Sequence, residues 1–297
     1  MFFAIPFFKN ALYLKETLFS LLDQTDGDWQ AFVLDDSIAN EEVLEAIAIV
    51  DQIGDPRISY RKNEKNLGMA ENWNQAFDLA KDSEFLVILH ADDRLKPDYV
   101  QAMKSFAKAN PKASAYFCKC LIIGSDGKPV FSLADLYKKW VTPNEPVLML
   151  DGVKGIQKLI RGDFIFCPSV CYRTRDFSTM RFKTNFKMVT DFDFILRSLL
   201  SGQTWMGYYD HPLFEYRRHS ENTTVNLTQS LVRFHEEINL YRKLGNDLET
   251  LGENEIARSA KKMTMVKLNL LFEMAKALVT FRFGSFFAKA KLLWEIA

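Results

Sequence analysis

The chain has 297 residues, enough for one large domain or two small ones with a substantial core. Its 48% hydrophobic and 26% charged content is ordinary for a globular protein, and 38 basic against 38 acidic side chains leave no net charge. That balance removes any global electrostatic case for a nucleic-acid partner, and the lack of an 18-residue apolar run argues against a spanning helix.

In chain order, Met1-Phe-Phe-Ala-Ile-Pro6 lacks a basic leader and reads as a first strand, Phe2 to Pro6, rather than a signal peptide. Asn10 suits the cap of a helix whose Ala11, Leu14, Leu18, Leu21 and Leu22 recur at helical spacing. Asp26-Gly27-Asp28 turns the chain into an apolar strand that ends at Asp35-Asp36. Val43, Leu44, Ile47, Val50 and Ile53 mark a second helix face, closed by Gly54-Asp55-Pro56. Arg57 to Arg61 has the β-branched and aromatic content of a third strand, and Met69, Trp73, Ala76, Phe77 and Ala80 line a third helix. Phe85-Leu-Val-Ile-Leu-His90 is a strand buried on both faces, ending in Asp92-Asp93. This alternation predicts an α/β fold with a parallel sheet covered by helices. Carboxylates at the carboxyl ends of such strands sit where open α/β sheets bind ligands, and they suit a hard divalent cation shared with substrate phosphates.

Beyond Lys96-Pro97 the regularity falls. A helix to about Lys108, a strand from Ala115 to Ile123 and a hairpin turn at Ser125-Asp126-Gly127 are expected. Residues 130–150, with Pro143 and Pro146, read as a long irregular connection. Helices follow around Val153 to Ile160 and Asp191 to Leu200, and the last seventy residues are almost entirely helical in pattern. The spacing of Cys118, Cys120, Cys167 and Cys171 is not that of a zinc site and predicts four reduced, mostly buried thiols, as in a cytoplasmic protein. The segment Arg258 to Ala297 sets eight basic residues against Glu273 and Glu295 and interleaves aromatics. It suits either the inner face of an anionic membrane or packing on the protein itself or a second subunit.

Six elements, in order, resemble a bacterial family-two glycosyltransferase of the GT-A fold, from Ile5 to about Asn222. They are Ile5-Pro6-Phe-Phe-Lys-Asn10, Val33-Leu-Asp35-Asp36-Ser37, Asn66-Leu-Gly68 with Ala70-Glu-Asn72-Trp-Asn74, His90-Ala-Asp92-Asp93, Thr190-Asp191 and Tyr216-Arg-Arg-His219. The resemblance implies a GT-A-like mostly parallel sheet flanked by helices, with a C-terminal helical extension. It divides the chain into a donor-binding half (1–95), an acceptor-binding half with the catalytic base (96–225) and helices from 226 to 297. It implies a metal-dependent, inverting transfer from a nucleotide-diphosphate sugar to a glycan or lipid-linked hydroxyl, as in surface polysaccharide synthesis, with manganese or magnesium as cofactor.

Carried over residue by residue, Pro6, Asp35, Asp36, Asn66, Gly68, Asn72 and Asp92 contact or support the donor. Asp36 would meet the nucleobase while Asp35 holds the loop, and Gly68 supplies a positive φ or a close approach. Asp93 is the favoured metal ligand, with Asp92 at the ribose edge and metal and with His219 joining late in the chain. Arg217 and Arg218 offer charge-assisted bonds to phosphate. Asp191 is the expected general base, with Asp193 its rival; the two would not share a helix face. Phe7-Phe8, His90 and Thr190 depart from the family pattern. They keep open a degenerate, non-catalytic glycan- or nucleotide-sugar-binding protein. A nucleotidyltransferase or a Rossmann dehydrogenase would need a Gly-rich loop after the first strand, which Pro6-Phe-Phe-Lys-Asn10 is not.

Overall fold

In the computed structural model, residues 1–130, 145–219, 227–228 and 230–296 are described. Strands β1 (Phe2–Phe7), β2 (Gln30–Asp35), β3 (Ile58–Lys62) and β4 (Phe85–Ile88) alternate with helices α1 (Ala11–Leu22), α2 (Asn40–Ile53) and α3 (Met69–Leu79). Short β5 (Arg94–Leu95) leads to α4 (Tyr99–Ala109), then β6 (Ala115–Cys118), β7 (Cys120–Ile123) and β8 (Val147–Asp151). Helix α5 (Gly152–Leu159), β9 (Cys171–Arg173), α6 (Thr190–Leu200), β10 (Thr204–Tyr208) and β11 (Phe214–Arg217) follow. The chain then runs through α7 (Val232–Thr250), α8 (Asn254–Lys261), α9 (Thr264–Val279) and α10 (Phe283–Glu295).

Eight strands form one sheet in the order β3-β2-β1-β4-β9-β6-β10-β8, in which only β9 and β8 run against the rest. The predicted α/β, mostly parallel architecture is therefore what forms, and residues on both sides of position 95 share the sheet. A small second sheet, β5-β11-β7, sits beside it. Strand β1 shows why the large sheet is central. Phe2 and Ala4 pack into the core layer with α3, while Phe3, Ile5 and Phe7 enter the layer under α1 and α4. That is the period-2 alternation of a strand covered on both faces.

The second half differs from expectation in three places. The strand expected at Ala115 to Ile123 breaks at Lys119, because β6 belongs to the large sheet and β7 to the small one. Within the stretch expected to be irregular, Val147–Asp151 is an edge strand whose Leu148 and Leu150 are buried and whose Val147 and Met149 face out. Residues 131–144 of that stretch lie outside the described residues, as does the end of the resemblance near Asn222. Strands β10 and β11 were not anticipated. The four cysteines are all free thiols, three of them buried, as expected.

Two features bring the halves of the site together. An aromatic group joins α3 to α6: Phe77, Phe182 and Phe194 lie 4.3–5.9 Å apart, ring to ring. Asn74 of α3 also clamps the backbone of Phe182, accepting from its N–H at 2.8 Å and donating to its carbonyl at 2.9 Å.

Candidate active site

The strand order reverses between β1 and β4, since β2 and β3 lie to one side of β1 and β4 to the other. Ligands of open α/β sheets bind at such a switch point, beyond the carboxyl ends. Pro6 stands there. The β1–β4 register ends at Ala4, with Leu89 N donating to Ala4 O at 2.9 Å, whereas Asp36 N still donates to Phe7 O at 2.8 Å. By strand alternation the missing N–H of Pro6 falls on the side that β4 has already left, so no ladder bond is lost. The chain then turns through Asn10, which adopts φ 68° and caps α1 by accepting from Tyr13 N.

At the end of β2 both carboxylates are buried. Asp35 accepts from Ser37 N at 2.7 Å, Ser37 Oγ at 2.5 Å and the Tyr60 hydroxyl. It holds the loop, as expected. Asp36 accepts from Asn63 Nδ2 (2.9 Å), Leu67 N (2.8 Å), Asn66 Nδ2 (3.0 Å) and Gly68 N (2.8 Å). Four donors use the acceptor sites a carboxylate has, so Asp36 braces the 63–68 loop and has no oxygen left over for the nucleobase. Asn72 is corrected in the same way. It is buried, its Nδ2 donates to Leu34 O at 3.0 Å, and its Oδ1 accepts from Asn63 and Gln75. It ties α3 to β2 rather than facing a donor.

Gly68 adopts φ 79°, ψ 164° at the start of α3. Only glycine visits that region readily, and a Cβ there would meet nothing within 4 Å. The cost of a side chain is therefore purely conformational. Gly68→Ala should lower stability by about 1–3 kcal/mol. It should also weaken nucleotide binding by loosening Asn66–Gly68, as read by thermal melting and calorimetry.

After β4, Asp92 and Asp93 diverge. Asp92 Oδ2 meets His219 Nε2 at 3.0 Å, with the Asp92 side chain 30% exposed. Asp93 lies beneath, 1% exposed, and its Oδ1 accepts from Arg217 N at 2.7 Å. Asp93 Oδ2 and His90 Nε2 are buried atoms without a hydrogen-bond partner. The ligand atoms of His90, Asp92 and Asp93 lie within 4.8 Å of one another. Burial works against the charge of Asp92, yet the His219 hydrogen bond and the nearby imidazoles hold its carboxyl below the usual range. Burial and then the Asp92 charge push the Asp93 carboxyl well up, and burial lowers the His90 imidazole. Unpaired buried acceptors beside a carboxylate are what a cation would satisfy. The donor set fits a divalent ion, with Asp92 and His219 turned outward and Asp93, the expected principal ligand, placed under them.

Arg217 is not available to phosphate. It is fully buried, and its guanidinium donates to Asp92 O (2.7 Å), Gly124 O and Ser125 O (3.2 Å each) and Glu16 Oε2 (2.5 Å). Arg218 instead lines an open cleft of about 570 Å³ with His219, Asn10, Tyr13 and Ser125. A second depression, about 420 Å³, lies over α1 and β5 and contains none of the expected site residues.

Asp191 and Asp193 separate as expected. Asp193 is buried between Lys183 (2.7 Å) and Arg197 (2.6 Å). Asp191 stays partly exposed in the first turn of α6. The Tyr216 hydroxyl feels the charge of Asp191 and of the two carboxylates after β4. Burial, then the Asp93 charge, with Asp92 and Asp191 adding to it, raises the Tyr216 pKa. The turn before α6 is pinned by Glu236 of α7, whose carboxylate accepts from Lys187 N, Met188 N and Val189 N at 2.8–3.2 Å. Glu236 and Glu16 support the site and carry no signal in the sequence. Their partners lie 49 and 201 residues away, so no local pattern announces them.

The family model described as glycosyl transferase family 2 matches residues 3–183. The chain belongs to that family. Among curated relatives, an uncharacterized glycosyltransferase of Methanocaldococcus jannaschii is 30% identical over 115 residues, 39% of this chain and 39% of its own. The putative teichuronic acid biosynthesis glycosyltransferase TuaG of Bacillus subtilis is 25% identical over 127 residues, 42% of this chain and 48% of its own. The chain thus spans less than half the length of these family relatives. In fold it is similar to S. aureus TarS 1-349, solved with UDP-GlcNAc (TM-score 0.64, 15% identity, 88% of this chain and 69% of that one). It is also similar to the mannosyltransferase PcManGT of Pyrobaculum calidifontis, solved with GDP-Man and Mn²⁺ (TM-score 0.58, 13% identity, 98% and 84%). At these identities the likeness is one of fold, and it places the chain among GT-A structures.

Proposed function

We propose that this family-two protein transfers a sugar, with inversion, from a nucleotide-diphosphate donor to a hydroxyl of a glycan or lipid-linked acceptor of a bacterial surface polysaccharide. The observation that carries the reading is the Asp92–His219 pair over the unpaired Asp93 Oδ2, at the switch point between β1 and β4. The donor lies along the carboxyl ends of β1, β2 and β4. The 63–68 loop, anchored by Asp36, forms one wall, and Pro6 opens the floor. Asp92 and His219 would hold a divalent cation, with Asp93 and His90 as the neighbouring donors. When bound, that ion supplies Lewis-acid stabilisation of the departing diphosphate. Imidazole nitrogen among oxygen donors favours manganese over magnesium, which prefers oxygen ligands throughout. Arg218 adds positive charge at the cleft mouth.

Asp191 takes the proton from the acceptor hydroxyl as that oxygen attacks the anomeric carbon, and the nucleoside diphosphate leaves on the opposite side. Asp193 cannot serve, because its charge is spent on Lys183 and Arg197. Glu236 positions the turn that carries Asp191. A test is to incubate the protein with Mn²⁺, a panel of nucleotide sugars and oligosaccharide acceptors, and to read nucleoside diphosphate release and product anomer by NMR. Release with an inverted product supports the reading. A product of retained configuration overturns the direct displacement, and binding of donors without any release favours the non-catalytic alternative kept open by His90 and Thr190.

A further inference from the structure

Helix α9 is apolar on two opposite sides. Val266, Leu270 and Ala277 are buried, the first two within the main core. On the opposite side Leu268, Leu271, Phe272, Leu278 and Val279 recur at i, i+3, i+4, i+10 and i+11, and all are exposed, Val279 by 77%. At 100° per residue Lys267 and Lys276 fall on the two flanks of this stripe. Helix α10 pairs with α9 and repeats the arrangement. Leu292 points inward, while Phe283, Phe287 and Trp294 lie at i, i+4 and i+11 on the outer side, Trp294 exposed by 85%. Phe281, 79% exposed, stands with Arg282 at the turn between them.

An apolar stripe on each of two neighbouring helices is more than scattered surface hydrophobicity. The charges decide what covers it. Between 264 and 296 there are five cations and two carboxylates; Lys289 is buried against Ser285 and Glu273, which also lies 3.6 Å from Lys276, so the cations at the surface are Lys267, Lys276, Arg282 and Lys291. A second copy docking by two-fold symmetry would bring the same cationic rims against each other. An anionic lipid surface meets both features at once: aromatic side chains enter the headgroup–acyl boundary while lysine and arginine reach the phosphates. No helix among the described residues is long and apolar enough to cross a membrane, so contact of this kind lies along the surface.

We propose that the α9–α10 hairpin is a monotopic docking surface for anionic bilayers, with Phe281, Phe287 and Trp294 as the inserted side chains and the flanking cations at headgroup level. This is independent of the transfer chemistry. The test is flotation of the full chain with vesicles of phosphatidylcholine, with and without phosphatidylglycerol. The protein should float with the anionic vesicles and much less with neutral ones, and binding should weaken as salt screens the cations. A Phe281→Ser/Phe287→Ser/Trp294→Ser variant, checked for folding by circular dichroism, should lose at least about tenfold in partitioning. Arg282→Glu/Lys291→Glu should lose the preference for anionic lipid while keeping the aromatics. The proposal is overturned if the unaltered protein floats with neither vesicle, or if the triple variant binds undiminished. A concentration-dependent dimer that the triple variant abolishes would overturn it too, by assigning the stripe to a second copy.

Discussion

Asp191→Asn is expected to lower kcat by about 10²–10⁴-fold while leaving nucleotide affinity nearly unchanged. The amide keeps the size and the local hydrogen bonding of a side chain whose Oδ1 accepts from Phe192 N at 2.8 Å, but it cannot take up a proton. Asp191 sits in the first turn of α6, on a different element from the loop that Asp36 anchors, so donor contacts should survive. Asp193→Asn should behave differently. It removes the charge between Lys183 and Arg197, so it should cost stability first and activity only through that loss. Steady-state kinetics at saturating donor, with calorimetric affinity for the nucleotide, separate the two. Normal turnover with lost nucleotide affinity in Asp191→Asn would remove the base assignment.

Arg217→Met is expected to be the most destabilising single change near the site, at about 3–5 kcal/mol. Its guanidinium serves three backbone carbonyls and Glu16, and it also lies 4.5 Å from the centre of the Tyr13 ring. Methionine keeps most of the volume but leaves those acceptors unmet in a fully buried place. Since β11 also presents Arg217 N to Asp93, loosening this hub should weaken metal-dependent nucleotide binding as well. Thermal melting should fall by at least about 5 °C. A melting temperature unchanged by the substitution would show that the carbonyls of Asp92, Gly124 and Ser125 do not need the guanidinium.

The sheet and the place of the candidate site were legible because their signals are local. An apolar run closed by two aspartates identifies a buried strand and the sheet edge that carries the candidate site within nine residues, and alternation with helices orders the parallel part. The roles of neighbouring residues were not legible in the same way. Asp35 and Asp36 are chemically identical in sequence, and the use of Asp36 depends on donors from Asn63 to Gly68 that only the fold brings near. Arg217 ends β11 and Arg218 follows it by one step, which turns one into the protein and the other toward the cleft. Asp93 gave way to Asp92 as the outward carboxylate for a similar reason, the sharp turn after β4. Edge strand β8 carries a clean alternation at 147–151, but it follows Pro143 and Pro146, which read as loop. Strand β6 parts from β7 at Lys119 because the chain changes sheets there, which no one-dimensional pattern records.

The most direct test of the proposed chemistry is calorimetric titration of the full chain with UDP, GDP and dTDP, each in Mn²⁺ and in EDTA, alongside Asp92→Ala. One of the nucleotides should bind in Mn²⁺ and lose most of its affinity both in EDTA and in the variant. Failure of all three to bind with metal present, or binding that neither EDTA nor Asp92→Ala affects, would contradict a metal-assisted nucleotide-sugar site at the ends of β1, β2 and β4.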